Sequence, residues 1–387
     1  MGEHRGKSGG FPMEKIIRWS CFTASACIVA AFLFALYIST LLPDTFHVGE
    51  TGEIRVAGMP FLTSSPALGQ EEAAANATRG GSYNAQLSLG GVIPVKTVRA
   101  EVLGRRVVQV CGTPFGIKMF ANGAMVVGFS DIYTAQGYQN PAKTAGLKLG
   151  DVIVSIAGHE TRTNEDVAEA LQQLKGAPAE VVFQRDGHEK TVRLTAVMDL
   201  STNTYRTGMW VRDSSAGIGT MTFIDNATGT FAGLGHSIHD SDTGKTLGLL
   251  KGEIVPVEIT GVEKGSAGAP GELKGRFLTA AAAGDITVNG ETGVYGTVSS
   301  VQEGIDMELA LAQEVTTGRA EIITTIEGRT PQRYEVEIEK IALNASDANR
   351  NMVVHVTDPV LLQNTGGIVQ GMSGSPIIQN GKLVGAV

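Results

Sequence analysis

Near its C-terminal end the chain reads Gly371-Met372-Ser373-Gly374-Ser375-Pro376, followed by Ile377-Ile378-Gln379-Asn380-Gly381-Lys382-Leu383-Val384-Gly385. Two apolar runs joined by Asn-Gly predict a β-hairpin, because that pair accepts the positive φ values of a tight hairpin turn. A serine between glycines at the head of such a hairpin can sit on a sharp backbone bend. With no Cβ in the way, the glycines let backbone N–H groups converge on one point, where an acyl oxyanion would be stabilised. The expected donors are the N–H groups of Gly371 and Ser373.

A serine hydroxyl is a weak nucleophile and needs a general base within hydrogen-bond reach. Of the seven histidines, His236 is the best placed, in Phe231-Ala232-Gly233-Leu234-Gly235-His236-Ser237-Ile238-His239-Asp240. The small residues before it leave room for a second segment to approach the ring, and the base precedes the nucleophile. His239 raises the alternative of a metal pair with His236. No His-Glu-x-x-His or cysteine pair accompanies them, so no metal and no cofactor is expected. Two aspartates compete to orient the imidazole. Asp285 lies 49 residues after His236 and 88 before Ser373, near the gaps of roughly 45 and 95 in a chymotrypsin-type order. Asp358, in Val356-Thr357-Asp358-Pro359, is only 15 residues before Ser373, and an Asp before Pro often starts a turn. Spacing leaves both open. The loop resembles the nucleophile loop of chymotrypsin-like serine peptidases. An α/β-hydrolase elbow is excluded because position 375 is Ser rather than Gly. Gly244-Lys245-Thr246 is no phosphate loop, since His239 stands where its first glycine must be.

The chain has 387 residues, 50 glycines and 18% charged residues, enough for two or three turn-rich β domains. After residue 18 there remain 27 Lys/Arg against 37 Asp/Glu, a balance of −10. With no basic patch, nucleic acid is an unsuitable partner. Trp19 to Leu42 is 24 residues without Asp, Glu, Lys, Arg or His. As a helix it would be about 36 Å long, against a hydrocarbon core of about 30 Å. Arg5, Lys7, Lys15 and Arg18 precede it, and Asp44, Glu50 and Glu53 follow. This asymmetry predicts a cytoplasmic tail (1–18), a single-pass anchor (19–42) and an extracytoplasmic bulk. The run is too long for a cleaved signal peptide, and no Ala-x-Ala site follows. Of three cysteines, Cys21 and Cys27 fall inside the apolar run, which leaves Cys111 alone beyond it. No disulfide framework is therefore expected, and Cys111 reads as a strand end rather than a nucleophile.

Residues 43–96, with a small polar stretch from Gly69 to Tyr83, read as a linker or proteolytically open loop. Residues 97–198 resemble a PDZ domain. The resemblance rests on Asn140-Pro141-Ala142-Lys143-Thr144-Ala145-Gly146-Leu147-Lys148-Leu149-Gly150-Asp151-Val152-Ile153-Val154-Ser155-Ile156-Ala157-Gly158. A helix follows, opened by Thr163 or Asn164, with Val167, Leu171 and Leu174 at helical spacing. Such domains add an extended peptide as a strand and hold its terminal carboxylate; the candidate cradle is Phe115-Gly116-Ile117-Lys118. Residues 199–387 alternate short strand patterns with glycines, which suits a pair of antiparallel β-barrels. The expected fold class is thus mainly β: a transmembrane helix, a PDZ-like α+β domain and a chymotrypsin-like double β-barrel.

Together these features resemble the stage IV sporulation protein B serine peptidases of endospore-forming bacteria. The match is carried by Arg212-Asp213-Ser214-Ser215-Ala216-Gly217-Ile218-Gly219-Thr220-Met221-Thr222-Phe223, by Gly235-His236 and Gly252-Glu253-Ile254-Val255, and by residues 365–376. The resemblance implies Ser373 as nucleophile, His236 as base and Asp358 as acid, with Asp285 the competitor from spacing. It also implies a sporulation endopeptidase between the two forespore membranes. Such an enzyme cleaves itself and a membrane-bound regulator of an intramembrane protease, triggering sigma-factor maturation. The chain stops 14 residues after Ser373, so a C-terminal truncation of the barrel is expected. The alternative function is a PDZ-bearing scaffold with an inactive barrel.

Overall fold

The computed structural model describes residues 13–387, except 50–51, 241–242, 245, 247–248, 280, 300–303 and 348. Arg5, Lys7 and Glu50, used above for orientation, lie outside the described residues. Contacts divide the chain into two units, the first made of residues 1–106, 310–317 and 339–353.

In the first unit, Met13–Leu41 forms α1. Its stretch Ile17–Leu41, 25 residues with an 18-residue window of mean hydropathy 2.2, is long and apolar enough to cross a membrane. The linker expected over 43–96 is corrected by the structure. Strands β1 (Thr45–Val48) and β2 (Leu62–Pro66), a short α2 (Glu71–Ala75), β3 (Ser82–Leu89) and β4 (Ile93–Val102) occupy it. The strands form one sheet in the order β1-β4-β3-β2. Tyr83, Ala85 and Leu87 alternate inward on β3, and Val98, Ala100 and Val102 on β4. They meet Phe46, Val48 and the last turn of α1 through Ile38 and Leu42. Period-two alternation, rather than the small residues of 69–81, decides this segment.

The second unit holds everything else. Its first strands are β5 (Val107–Val110) and the 16-residue β6 (Pro114–Phe129). Next come α3 (Pro141–Thr144), β7 (Val152–Ile156), α4 (Asn164–Leu174), β8 (Pro178–Arg185) and β9 (His188–Thr195). The last two are followed by β10 (Met209–Asp225), another long strand. The second half of β6 pairs with the first half of β10 on one side and with β7 on the other. Strand β8 then joins β7 to β9. This α+β module packs Val126, Ile153, Val181 and Phe183 against Val167 and Leu171 of α4. Helix α4 starts where Thr163 accepts from the Asp166 N–H and the Asp166 carboxylate accepts from the Thr163 N–H, a reciprocal cap. Asp151, wholly buried, takes a two-pronged ion pair from Arg185 at 2.7 Å for each contact, which leaves no uncompensated charge in the core.

The remaining halves of β6 and β10 enter a second sheet with β11 (Thr230–Gly233), β12 (Lys251–Glu263), β13 (Glu272–Phe277), β14 (Gly284–Gly290) and β15 (Gly293–Val298). Pairing runs β6-β10-β11-β15-β14-β12 and back to β6, a ring of six strands. Ile117, Met221, Phe231, Ile254 and Ile286 fill it. The α+β module is therefore strung between two strands of the ring, and the structure continues it past residue 198 into β10. A further sheet combines β5, β16 (Ile305–Leu309), β17 (Gly318–Thr324), β18 (Pro376–Gln379) and β19 (Lys382–Ala386). One pairing in it, β16 with β19, is parallel rather than antiparallel. The hairpin of β18 and β19 turns at Asn380-Gly381, both with positive φ, as Asn-Gly predicts.

Candidate active site

The segment before the hairpin opens with α5 (Pro359–Thr365), ends it at Gly366 in the left-handed region, and crosses beside β13 through Gln370. The loop 371–375 then bends so that Met372 and Ser375 are buried while Ser373 stays partly exposed. Its position is held by backbone and hydroxyl groups of β10. Thr220 N–H donates to the Ser373 carbonyl at 2.9 Å, Thr220 Oγ1 to the Gly371 carbonyl at 2.9 Å, and Thr222 Oγ1 to the Gly374 carbonyl at 2.7 Å. The approach is closest at Gly374, where φ is 91°. A Cβ there would lie 2.1 Å from the Thr220 oxygen and 2.4 Å from the Leu234 nitrogen. Only glycine fits.

Leu234 and Gly235, both with positive φ, turn the chain out of β11 into His236. The ring reaches across 137 residues of sequence: His236 Nε2 lies 3.0 Å from Ser373 Oγ. On its other side Nδ1 lies 2.8 Å from the Ser237 carbonyl. A carbonyl only accepts, so Nδ1 carries the proton and Nε2 is left free to accept from the serine hydroxyl. Asn289 on β14 steadies the following residue, accepting from Ile238 N–H at 2.7 Å and donating to its carbonyl at 3.1 Å. The N–H groups of Gly371 and Ser373 have no acceptor among the described residues. They remain available for an incoming oxygen.

Neither candidate acid touches the imidazole. Asp285 is exposed on the outer face of the ring, its neighbour Ile286 pointing inward, and its charge acts on Lys251. Asp358 is the N-cap of α5, away from the imidazole that the resemblance has it orient. One carboxylate oxygen accepts from the N–H groups of Val360 and Leu361 at 2.9 and 3.0 Å, and the other faces Glu335 N–H at 3.4 Å. With Pro359 at the first helical position, the cap is the physical reason for this placement. Asp358→Ala should lower unfolding free energy by about 0.5–2 kcal/mol in urea titration, while Asp358→Asn, which caps equally well, should keep the parental midpoint.

The peptide cradle expected at Phe115, Gly116, Ile117 and Lys118 is also corrected. These residues pair with β10 on one edge and with β12 on the other, so no edge is left for a peptide. The open edge lies elsewhere. In β10, residues 209–212 pair only with β6 among the described residues. Beside that edge runs a groove of about 450 Å³ between α4, through Val167 and Leu171, and Gly208, Met209 and Val211. Gln172 closes one end by bonding both the N–H and the carbonyl of Tyr205. The sequence reading missed this edge because residues 209–212 lie beyond the PDZ-like segment expected to end at 198.

His239 stands against Ser237, with Nε2 3.3 Å from its hydroxyl and Nδ1 3.1 Å from its carbonyl. No group of three His, Cys, Asp or Glu side chains is placed to hold a metal among the described residues. Cys111 is buried, and burial pushes its thiol up to about 12. At pH 8 it stays protonated and unreactive. Iodoacetamide should leave Cys111 unmodified in the folded protein and alkylate it in guanidinium, as read by peptide mass mapping.

Two regions of the chain match known protein families. The family described as SpoIVB peptidase S55 matches residues 203–387, and a PDZ domain family matches residues 136–185. Two Staphylococcus aureus proteins, of strains N315 and MRSA252 and each named "Putative zinc metalloprotease", are 44% and 42% identical over 55 residues. Those 55 residues are 14% of this chain, which thus spans 13% of the length of these curated relatives. Among solved structures, the PDZ domain of an SdrC-like protein from Listeria monocytogenes matches 23% of this chain and 87% of its own at 14% identity, with a TM-score of 0.19. On its S55 peptidase region and PDZ domain, the chain belongs to the SpoIVB-like family of PDZ-containing peptidases.

Proposed function

We propose that the protein is a membrane-anchored serine endopeptidase in which Ser373 is the nucleophile and His236 the general base. The observation that carries this is the 3.0 Å approach of His236 Nε2 to Ser373 Oγ. As Oγ attacks a peptide carbonyl, Nε2 takes the hydroxyl proton, and the oxyanion meets the N–H groups of Gly371 and Ser373. The same imidazole then gives its proton to the leaving amine, which departs and leaves an acyl-enzyme. Water, deprotonated by His236, releases the acid and restores the serine. The Ser237 carbonyl holds the Nδ1 proton throughout, doing the orienting work that a carboxylate does in a full triad.

Helix α1 serves as the anchor in this reading, with the N-terminus in the cytoplasm and the residues that follow the helix outside it. The substrates are protein segments at the membrane: the chain itself and a membrane-bound regulator of an intramembrane protease, in sporulation signalling. The groove beside Met209–Val211 takes an extended peptide as an added strand, with Val167 and Leu171 offering apolar contact. Self-cleavage of the purified full chain tests the proposal. Ser373→Ala should abolish it, and unchanged cleavage rejects the assignment.

A further inference from the structure

We propose that Arg212 and Asp240 form a positioning pair that keeps the His236 loop in register with the nucleophile, an inference that rests on the peptidase reading above. Asp240 follows His236 by four residues, and its side chain is only 1% exposed. Arg212 Nη1 meets Asp240 Oδ2 at 2.9 Å, while Oδ1 accepts from the Thr243 N–H at 2.9 Å. Nothing in the peptidase chemistry uses either residue. A buried carboxylate that loses the Arg212 guanidinium is poorly compensated and is driven towards water, and the 236–240 segment would move with it.

The partner's location gives the pair its meaning. Arg212 directly follows Val211, which lines the peptide groove, and belongs to the same unbroken strand as Thr220 and Thr222. Those two threonines hold the carbonyls of Gly371, Ser373 and Gly374. Strand β10 therefore grips the nucleophile loop at one end and, through Arg212, the base loop at the other. The backbone shift that separates the register at 212 from that at 214 lies at the junction. Arg212 touches neither the serine nor the imidazole, so it sets the distance between them rather than taking part in proton transfer.

The test is the rate at which a peptidyl phosphonate labels Ser373 in the full chain, resolved into the saturating rate and the concentration for half-saturation. Arg212→Met should lower the saturating rate by about 10- to 100-fold, the effect of displacing a reacting group by about 1 Å, with half-saturation within about threefold. Arg212→Lys, which keeps the charge, should recover most of that rate. A parental saturating rate in Arg212→Met overturns the pair's role. So does a Lys variant as slow as the Met variant when both melt like the parent. If Arg212→Met does not fold, Asp240→Asn decides: slowed labelling with parental melting supports the pair, and parental labelling overturns it. A folded parent that takes no label at Ser373 rejects the peptidase reading itself, and the pair's role falls with it.

Discussion

Ser373→Ala is expected to stop peptide hydrolysis, with turnover falling by about 10⁶-fold while the thermal midpoint stays that of the parent. His236→Ala should cost about as much, and the double variant no more than either, because nucleophile and base act as one unit. The expectation follows from the tautomer. With Nδ1 committed to the Ser237 carbonyl at 2.8 Å, Nε2 is the only nitrogen that can accept from Ser373 Oγ, and it stands 3.0 Å away. Initial rates at saturating peptide, with melting followed by circular dichroism, provide the check. Additive losses in the double variant would mean that the two groups work separately.

Gly374→Ala should be nearly as damaging for a different reason. The site has φ of 91°, a region that costs an L side chain roughly 1–2 kcal/mol. The added methyl would also lie 2.1 Å from the Thr220 oxygen and 2.4 Å from the Leu234 nitrogen, both backbone atoms that cannot rotate away. Overpacking of this kind costs a further 1–3 kcal/mol or so. The loop must retreat from β10, which separates Ser373 from His236 and breaks the bonds from Thr220 and Thr222. Expected results are at least about a 100-fold loss of kcat and a lower urea midpoint. A variant with parental kcat would show that the close approach is not needed.

The local geometry around Ser373 and His236 was legible in the sequence wherever its signal was local. Asn380-Gly381 fixed the hairpin, the glycines around Ser373 fixed the bend, and the small residues before His236 pointed to a ring that another segment could approach. Long-range pairings left no such trace. Asp285 has the spacing of an orienting acid yet sits on the outward face of β14, since spacing does not say which face of a strand a residue takes. Asp358 stands before a proline and does what that pattern does locally: it caps a helix. The group that meets His236 Nδ1, the Ser237 carbonyl, belongs to the backbone and has no side-chain signature. Likewise Phe115–Lys118 looked like an edge because the strands that cover it, β10 and β12, come some 100 or more residues later. Thr220 and Thr222 fell within the stretch Arg212–Phe223 singled out by resemblance, but their task of gripping the loop depends on contacts spanning about 150 residues. In the first unit, the Ala- and Gly-rich composition before Tyr83 masked the alternation of β3 that follows it.

A long strand shared by two sheets also explains why the α+β module and the six-stranded ring occur in one compact unit. Strand β10 supplies the open edge at 209–212, the cation for Asp240, and the groups that hold the nucleophile loop.

The most direct measurement is mass-spectrometric mapping of the full chain after treatment with a serine-directed phosphonate. A single adduct on Ser373, formed by the parent and absent from folded His236→Ala, is the predicted result. A folded parent without an adduct at Ser373, or one formed as fast without His236, would contradict the account.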